Sequence, residues 1–238
     1  MGGPYGLVGA VVVAAGRSTR MGGVDKLFAP LGKWPLLAYP LKVLEESPLV
    51  DMVVLVLGHH NLEAGKALVA DLGLRKVRHT CLGGERRQDS VQSGLGYLPP
   101  CQWVLVHDGA RPFLLEELIA SALEAAQETG AAVPALPIPD TVKEVEGDLV
   151  VHTHDRHRLY IVQTPQAFAY QLLVEAHRQV KGDVTDDASM VEAMGHKVRV
   201  FPGHPWNLKV TTEHDLALAR ALLACGGLAG DSTYRPGI

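Results

Sequence analysis

Cysteine is scarce in this chain of 238 residues: Cys81, Cys101 and Cys225 form an odd, widely spaced set without a C-x-x-C pair. That argues against a disulfide framework or a cysteine zinc site and points to a reducing cytoplasm. Long apolar runs are missing too, and none approaches the ~18 residues of a membrane span. The N-terminus lacks the charged start of a signal peptide, and Met1-Gly2-Gly3-Pro4-Tyr5-Gly6 lacks the Ser or Thr of a myristoylation signal. Lys and Arg do not outnumber Asp and Glu (22 against 26, net charge −4), so no global basic field gathers nucleic acid. Any phosphate must be met by locally placed cations. Neither G-x-G-x-x-G nor G-x-x-x-x-G-K-[ST] occurs, which removes the dinucleotide and P-loop fingerprints. His59-His60 and His152, His154 and His157 tempt a metal reading, but none has a spacing such as H-E-x-x-H. No convincing Ser-His-Asp or Cys-His arrangement stands out. What remains is a soluble, cytoplasmic globular protein, with 47% hydrophobic and 20% charged residues, long enough to bury a substantial core.

The residues that are present alternate between strand and helix patterns. Leu7 to Val13, Met52 to Leu57 and Trp103 to Val106 are continuous apolar runs, as expected of strands buried on both faces, and Ala131 to Leu136 is a weaker version. Between them the periodicity predicts helices at roughly 35–46, 61–71, 87–97 and 114–128. Strands alternating with helices of this length imply right-handed crossovers and a parallel sheet. Thr141 to Thr153 then alternates around Glu146-Gly147-Asp148, which reads as a β-hairpin projecting from the domain. Helices follow near 168–180 and 186–194, a strand near 197–201 and a last helix from about 212 to 224. The expectation is one α/β domain over 7–224 with a mostly parallel sheet flanked by helices. It carries a hairpin arm at about 138–156 and a disordered Gly-rich tail at 225–238.

Two segments carry chemistry. His107-Asp108-Gly109-Ala110-Arg111-Pro112 follows a buried strand, so Asp108 falls where open α/β sheets keep their ligand crevice. Arg111 adds a rigid cationic fork suited to phosphate. Acid and base side by side suggest a divalent metal and a phosphorylated substrate. Ala14-Ala15-Gly16-Arg17-Ser18-Thr19-Arg20-Met21-Gly22-Gly23 follows the opening strand, where small residues admit a close ligand and successive N–H groups can nest phosphate oxygens. Arg17, Arg20 and Lys26 beside it suit a triphosphate. The plainer readings stand beside these. The loop could be a polar turn with solvated bases, Asp108 could cap a turn, and Lys209 and Arg156 could be surface residues. Asp89, Ser90, Asp186 and Asp187 could simply serve helix starts, and capping is favoured for Asp89.

In order along the chain, A-A-G-x-x-x-R-M with Lys26, Gly83-Gly84-Glu85-Arg86-Arg87-Gln88-Asp89-Ser90-Val91 and His107 to Pro112 are followed by three more motifs. These are Asp155-Arg156 with Thr164-Pro165-Gln166, Thr185-Asp186-Asp187-Ala188, and Asn207-Leu208-Lys209-Val210-Thr211. Together, from about residue 8 to 223, they resemble the methylerythritol-phosphate cytidylyltransferase family of the non-mevalonate isoprenoid route. The resemblance implies a Rossmann-like nucleotidyltransferase fold and transfer of a cytidylyl group from CTP to methylerythritol phosphate. It implies that Ala14, Ala15, Gly16, Gly84, Ser90, Asp108 and Gly109 bind CTP, and that Arg20, Lys26 and Lys209 are catalytic. It further implies that Asp108 orients Mg²⁺, and that Arg111, Thr141, Arg156, Thr164 and Thr185 place the second substrate. The hairpin would embrace a second subunit in a homodimer, with no nucleic acid or membrane as partner. The chain departs from the family pattern at Ser18, where a glycine is usual, and at Asp25, where a proline precedes the lysine; its loop is one residue shorter. Asp25 thus puts a carboxylate beside Lys26. A sister enzyme using another polyol phosphate, such as ribitol 5-phosphate, and a non-catalytic nucleotide-binding module remain alternatives. A nicotinamide-dependent dehydrogenase lacks its glycine fingerprint.

Overall fold

The computed structural model describes residues 3–16 and 25–226. Arg17, Ser18 and Arg20, and the tail from 227 onward, lie outside the described residues. In chain order the elements are β1 (Val8–Ala14), a short ribbon of β2 (Pro30–Leu31) and β3 (Trp34–Pro35), and α1 (Ala38–Glu46). There follow β4 (Met52–Leu57), α2 (Leu62–Asp71), β5 (Val77–Leu82), α3 (Arg87–Leu95), β6 (Trp103–Asp108) and α4 (Glu116–Thr129). Then come β7 (Ala131–Pro137), β8 (Lys143–Glu146), β9 (Leu149–Thr153), β10 (Tyr160–Val162) and β11 (Gln166–Ala169). The chain closes with α5 (Tyr170–Gln179), α6 (Asp187–Ala193), β12 (Arg199–Pro202) and α7 (Glu213–Ala224).

One eight-stranded sheet organises the domain. β5, β4, β1 and β6 lie side by side in parallel. The apolar runs of β1, β4 and β6 are continuous because both faces are covered. Val11, Val54, Val56, Val104 and Val106 pack into one buried cluster with α3 and α5. Val12, Leu55, Leu57 and Leu105 pack into another with α1 and α4. Each such side chain contributes about 1.5–3 kcal/mol on burial, which explains why these runs were legible as strands. β7 then pairs in parallel with β12 on one edge, while β11 and β10 take successive stretches of its other edge, antiparallel. β11 also pairs antiparallel with β6 and so ties the two halves of the sheet together.

Three strands of the main sheet were not anticipated, nor was the short β2–β3 ribbon, whose second strand takes the start of the helix expected from 35. β5 has the mixed sequence Val-Arg-His-Thr-Cys-Leu because it is the sheet's edge, with only Cys81 fully buried. β10 and β11 span three and four residues, too short for a period to register. The segment expected as a helix from 168 accordingly begins as strand and turns helical at Tyr170. The expected hairpin is present as β8 and β9, which pair only with each other and are exposed along their length. Among the described residues no helix is long and apolar enough to cross a membrane.

Candidate active site

The carboxyl ends of β1, β4 and β6 stop in register, with Ala14 opposite Leu57 and Val13 opposite Asp108. The open crevice there measures about 1430 Å³, ample for a nucleoside triphosphate beside a second substrate. Ala14, Ala15, Gly16, Lys26, Gly84, Ser90, Asp108 and Lys209 all line it. Residues 195 positions apart in sequence thus share one cleft.

Asp108 ends β6 with its side chain only 10% exposed and each oxygen facing a cation. Arg87 Nε donates to Oδ1 at 3.1 Å, and Lys209 Nζ lies 2.7 Å from Oδ2. Burial pushes this carboxyl upward, but Arg87, Lys209 and Arg111 together hold it well below the usual carboxylate range, so it stays ionised. Arg87 reaches further back: its Nη1 donates to Asp187 at 2.5 Å, and His177 Nε2 lies 3.2 Å from the other oxygen of Asp187. Asp187 is fully buried. Burial favours the neutral form of Arg87, yet its two carboxylates outweigh that and raise its pKa. The chain His177–Asp187–Arg87–Asp108–Lys209 is therefore one charged network running from the domain interior to the cleft.

His107 secures the same strand end from behind. It is fully buried, and burial pushes its pKa down to about 4, so the ring is neutral near pH 7. Its Nε2 faces the carbonyl of Arg111 at 3.2 Å, so that nitrogen carries the proton. Nδ1 then accepts from the Thr164 hydroxyl at 3.1 Å, while that oxygen accepts from the Asp108 amide at 3.1 Å. Thr164, buried with its neighbour Gln163, thus supports Asp108 rather than lining the cleft.

Lys209 owes its position to Asn207, which is completely buried. Asn207 Nδ2 donates to the Thr164 carbonyl at 2.7 Å, and its own carbonyl accepts from Arg111 Nη1 at 2.6 Å. The Val210 amide donates to the Ala110 carbonyl at 2.9 Å. Two anchors either side of Lys209 leave its side chain directed at Asp108. Arg111 is buried in this joint, and its Nε finds no partner among the described residues. Gly109 does not line the cleft; its amide donates to Val13, fixing β6 to β1.

On the nucleotide-loop side, Gly83 lies where α3 meets the end of β1. A Cβ there would sit 2.5 Å from Ser90 Oγ and 2.6 Å from Ala15 Cβ, so only glycine fits. Asp89 makes a capping box with Arg86, and Asp186 caps α6 through the Ser189 amide at 3.1 Å, the plainer roles weighed above. Asp187 does more than start a helix, as its pairing with Arg87 shows. Thr185 is exposed on the segment before α6, outside the cleft lining. That segment is fastened to α3 by Gln88, which donates to the Gly182 carbonyl at 2.9 Å and accepts from the Val184 amide at 3.1 Å. Thr141 and Arg156 are exposed beside the hairpin, with Arg156 Nη1 bonded to the Pro139 carbonyl. Neither lines this chain's own cleft. Sequence reasoning gave no role to Arg87, His107 or Asn207. All three stand inside the quoted motifs, but their partners lie far away in sequence, so the motifs alone did not show their tasks.

Among the described residues there is no cluster of three or more His, Cys, Asp or Glu able to cage a metal. The ionised Asp108 in an open cleft still fits a cation that takes one or two carboxylates and completes its shell with phosphate oxygens, as Mg²⁺ does.

Comparison with known proteins agrees with these motifs. The 2-C-methyl-D-erythritol 4-phosphate cytidylyltransferase family matches residues 8–225. A protein of that name from Dehalococcoides mccartyi is 49% identical over 220 residues, covering 92% of this chain and 97% of the relative. Another from Bacillus cytotoxicus is 40% identical over 217 residues, covering 90% and 96%. Among solved structures, a 4-diphosphocytidyl-2C-methyl-D-erythritol synthase from Anaerococcus prevotii superposes with a TM-score of 0.81 at 29% identity, covering 92% of this chain and 96% of that one. The 2-C-methyl-D-erythritol 4-phosphate cytidylyltransferase from Thermus thermophilus gives 0.75 at 35% identity, covering 90% and 98%. With its motifs gathered at one sheet end and nearly its whole length matched, this chain belongs to the 2-C-methyl-D-erythritol 4-phosphate cytidylyltransferase family.

Proposed function

We propose that the protein transfers the cytidylyl group of CTP to 2-C-methyl-D-erythritol 4-phosphate in non-mevalonate isoprenoid synthesis, releasing pyrophosphate. The observation that carries this reading is the convergence of Lys26, Asp108 and Lys209 on a cleft floored by Ala14, Ala15 and Gly16. The second pKa of a phosphate monoester is about 6, so the attacking group is already an anion near pH 7. Its oxygen bonds to the α-phosphorus as the bond to the β-phosphate oxygen breaks, and pyrophosphate departs with that electron pair. No general base or covalent enzyme intermediate is required. The protein's task is to hold the two phosphates in line and to neutralise charge on the α-phosphoryl and leaving oxygens.

Lys26 and Lys209 supply that positive charge, and Arg20 is assigned with them from the family motif. Asp108 would hold Mg²⁺, which when bound adds charge neutralisation along the triphosphate. Arg87 keeps the Asp108 carboxylate ionised and oriented toward the cleft. Gly84 and Ser90, which line the cleft, serve the cytosine, and Gly109 contributes by fixing β6 to β1 beside it. The family motifs assign Arg111, Thr164 and Thr185 to the polyol phosphate; in this chain Arg111 and Thr164 are buried and act through the joint that holds Asp108 and Lys209, and Thr185 is exposed beside the cleft.

The active unit is a homodimer in this reading. Its support is the apolar surface of the arm: Val145, Leu149, Val150 and Val151 are all more than half exposed, and Ile161 lies 52% exposed on β10. Thr141 and Arg156, remote from their own cleft, would reach the partner's. A cytoplasmic location is favoured by three free cysteines.

Pyrophosphate release is the test, with CTP against the other nucleoside triphosphates, crossed with methylerythritol and ribitol phosphates. Release only with CTP and methylerythritol phosphate is expected. Activity confined to ribitol phosphate would move the assignment to a sister enzyme, and no release with any pair would leave a non-catalytic nucleotide-binding module.

A further inference from the structure

Asn61 occupies the N-cap of α2, where an asparagine side chain ordinarily accepts from the first free amides of the helix and contributes about 1 kcal/mol. Here it makes no capping bond, although it is almost fully buried. Its polar atoms are used elsewhere. Oδ1 accepts from the Gly58 amide at 2.8 Å, and Nδ2 donates both to the Ala14 carbonyl at 3.1 Å and to Asp25 Oδ2 at 2.7 Å. Ala14 and Asp25 are the two residues from which the segment 15–24 departs and to which it returns. One side-chain amide therefore joins both ends of that segment.

Asp25 passes the restraint forward. Its second oxygen, Oδ1, accepts from the Leu27 amide at 3.0 Å and so caps the 3₁₀ turn Lys26–Phe28 that carries Lys26. The half-exposed His60 also touches this carboxylate, its Nε2 lying 3.4 Å from Oδ2. Gly58 keeps the contact close: a Cβ there would lie 2.9 Å from the Ala15 carbonyl oxygen. A helix that gives up its own cap to hold two strand-end segments together is organised around those segments.

We propose that Asn61 and Asp25 form a positioning pair that ties the end of β1 to the turn carrying Lys26 and aims Lys26 at the triphosphate. The Asp25 backbone has φ −71°, inside the range that a proline ring imposes, so a covalent constraint and a hydrogen-bonded one are interchangeable at this position. This inference rests on the reading of Lys26 as a phosphate ligand.

The test compares Asn61→Ala, Asp25→Ala, their double variant and Asp25→Pro by steady-state kinetics with CTP and methylerythritol phosphate. Misplacing a group by about 1 Å can cost on the order of 10²-fold. Each alanine variant should therefore lose about 10–10² in kcat with a smaller change in KM for CTP. The double variant should be no worse than the poorer single one, since the two act as a unit. Asp25→Pro should recover kcat to within about fivefold of wild type on the same argument. Losses that multiply, or a proline variant no better than the alanine one, would overturn the proposal. Hydrogen exchange reads the pair without turnover: in Asn61→Ala the Leu27 amide should exchange at least about tenfold faster while α4 is unchanged. Unchanged exchange at Leu27 would overturn it as well. An inactive wild type would count against the assigned reaction, with exchange still deciding the pair. If Asn61→Ala does not fold, the Asp25 variants alone carry the comparison.

Discussion

Replacing Arg87 with methionine removes one side chain from between two buried carboxylates. Among the described residues Asp187 would keep His177 at 3.2 Å, and Asp108 would keep Lys209 at 2.7 Å with Arg111 nearby. Removing one partner of a buried ion pair costs about 3–5 kcal/mol, because the remaining charge is left uncompensated. For a chain of this length about 1 kcal/mol shifts Tm by 2–4 °C, so a fall on the order of 6–20 °C is expected. The loss should depend on pH. In the wild type Asp108 is held below its unfolded value, so its contribution is complete above pH ~4 and is lost only as pH falls through the folded value. Without Arg87 only Lys209 and Arg111 oppose burial, so the folded value of the carboxyl rises toward the unfolded one. The gap to wild type is therefore full above pH ~4 and narrows as pH falls below it, between pH 7.5 and 3.5. Adding Asp187→Asn removes one stranded charge and should recover part of the loss. Thermal unfolding of the three proteins at both pH values is the assay. A loss below about 1 kcal/mol, equal at both pH values, would refute the network as described.

Other consequences are simpler to state. Lys26→Ala or Lys209→Ala should lower kcat by on the order of 10²–10³, the usual cost of one preorganised donor, and near-normal turnover in both would contradict their roles. Neutral His107, with its pKa lowered by burial to about 4, stabilises the fold fully above pH ~6.5 and loses that contribution as pH falls toward 4. Urea titrations of wild type and His107→Asn should differ most above pH 6.5 and converge below pH 5; parallel curves would remove the argument. Leu149→Asp with Val151→Asp should shift the sedimentation profile from dimer to monomer and reduce activity at least about tenfold, since a marginal exposed ribbon has no other partner. A monomeric wild type with full activity would end the shared-site reading.

The strands that flank the cleft were legible because burial on both faces leaves a continuous apolar run, as in Val8–Ala14 and Met52–Leu57. The hairpin was legible through alternation around Glu146-Gly147-Asp148. β5 escaped because an edge strand such as Val77–Leu82 tolerates Arg78, His79 and Thr80. β10 and β11 escaped because three or four residues carry no measurable period. At the site, Asp108 announced itself through its strand and the arginine after it. Arg87, His107 and Asn61 did not, because their importance lies in pairings across 21 to 100 positions that no local pattern encodes. Asp25 stood out in the sequence, and its contacts with Asn61 and the Leu27 amide give it a task.

At the centre of the account is a single direct displacement at the α-phosphorus of CTP, carried out between Lys26 and Lys209 without a covalent enzyme intermediate. Turnover of a cytidine 5′-(1-thiotriphosphate) of defined configuration, with the configuration at phosphorus read in the product by ³¹P NMR, tests this most directly. One in-line step predicts inversion. Retention would mean two displacements through an enzyme-bound nucleotidyl group and would contradict the account.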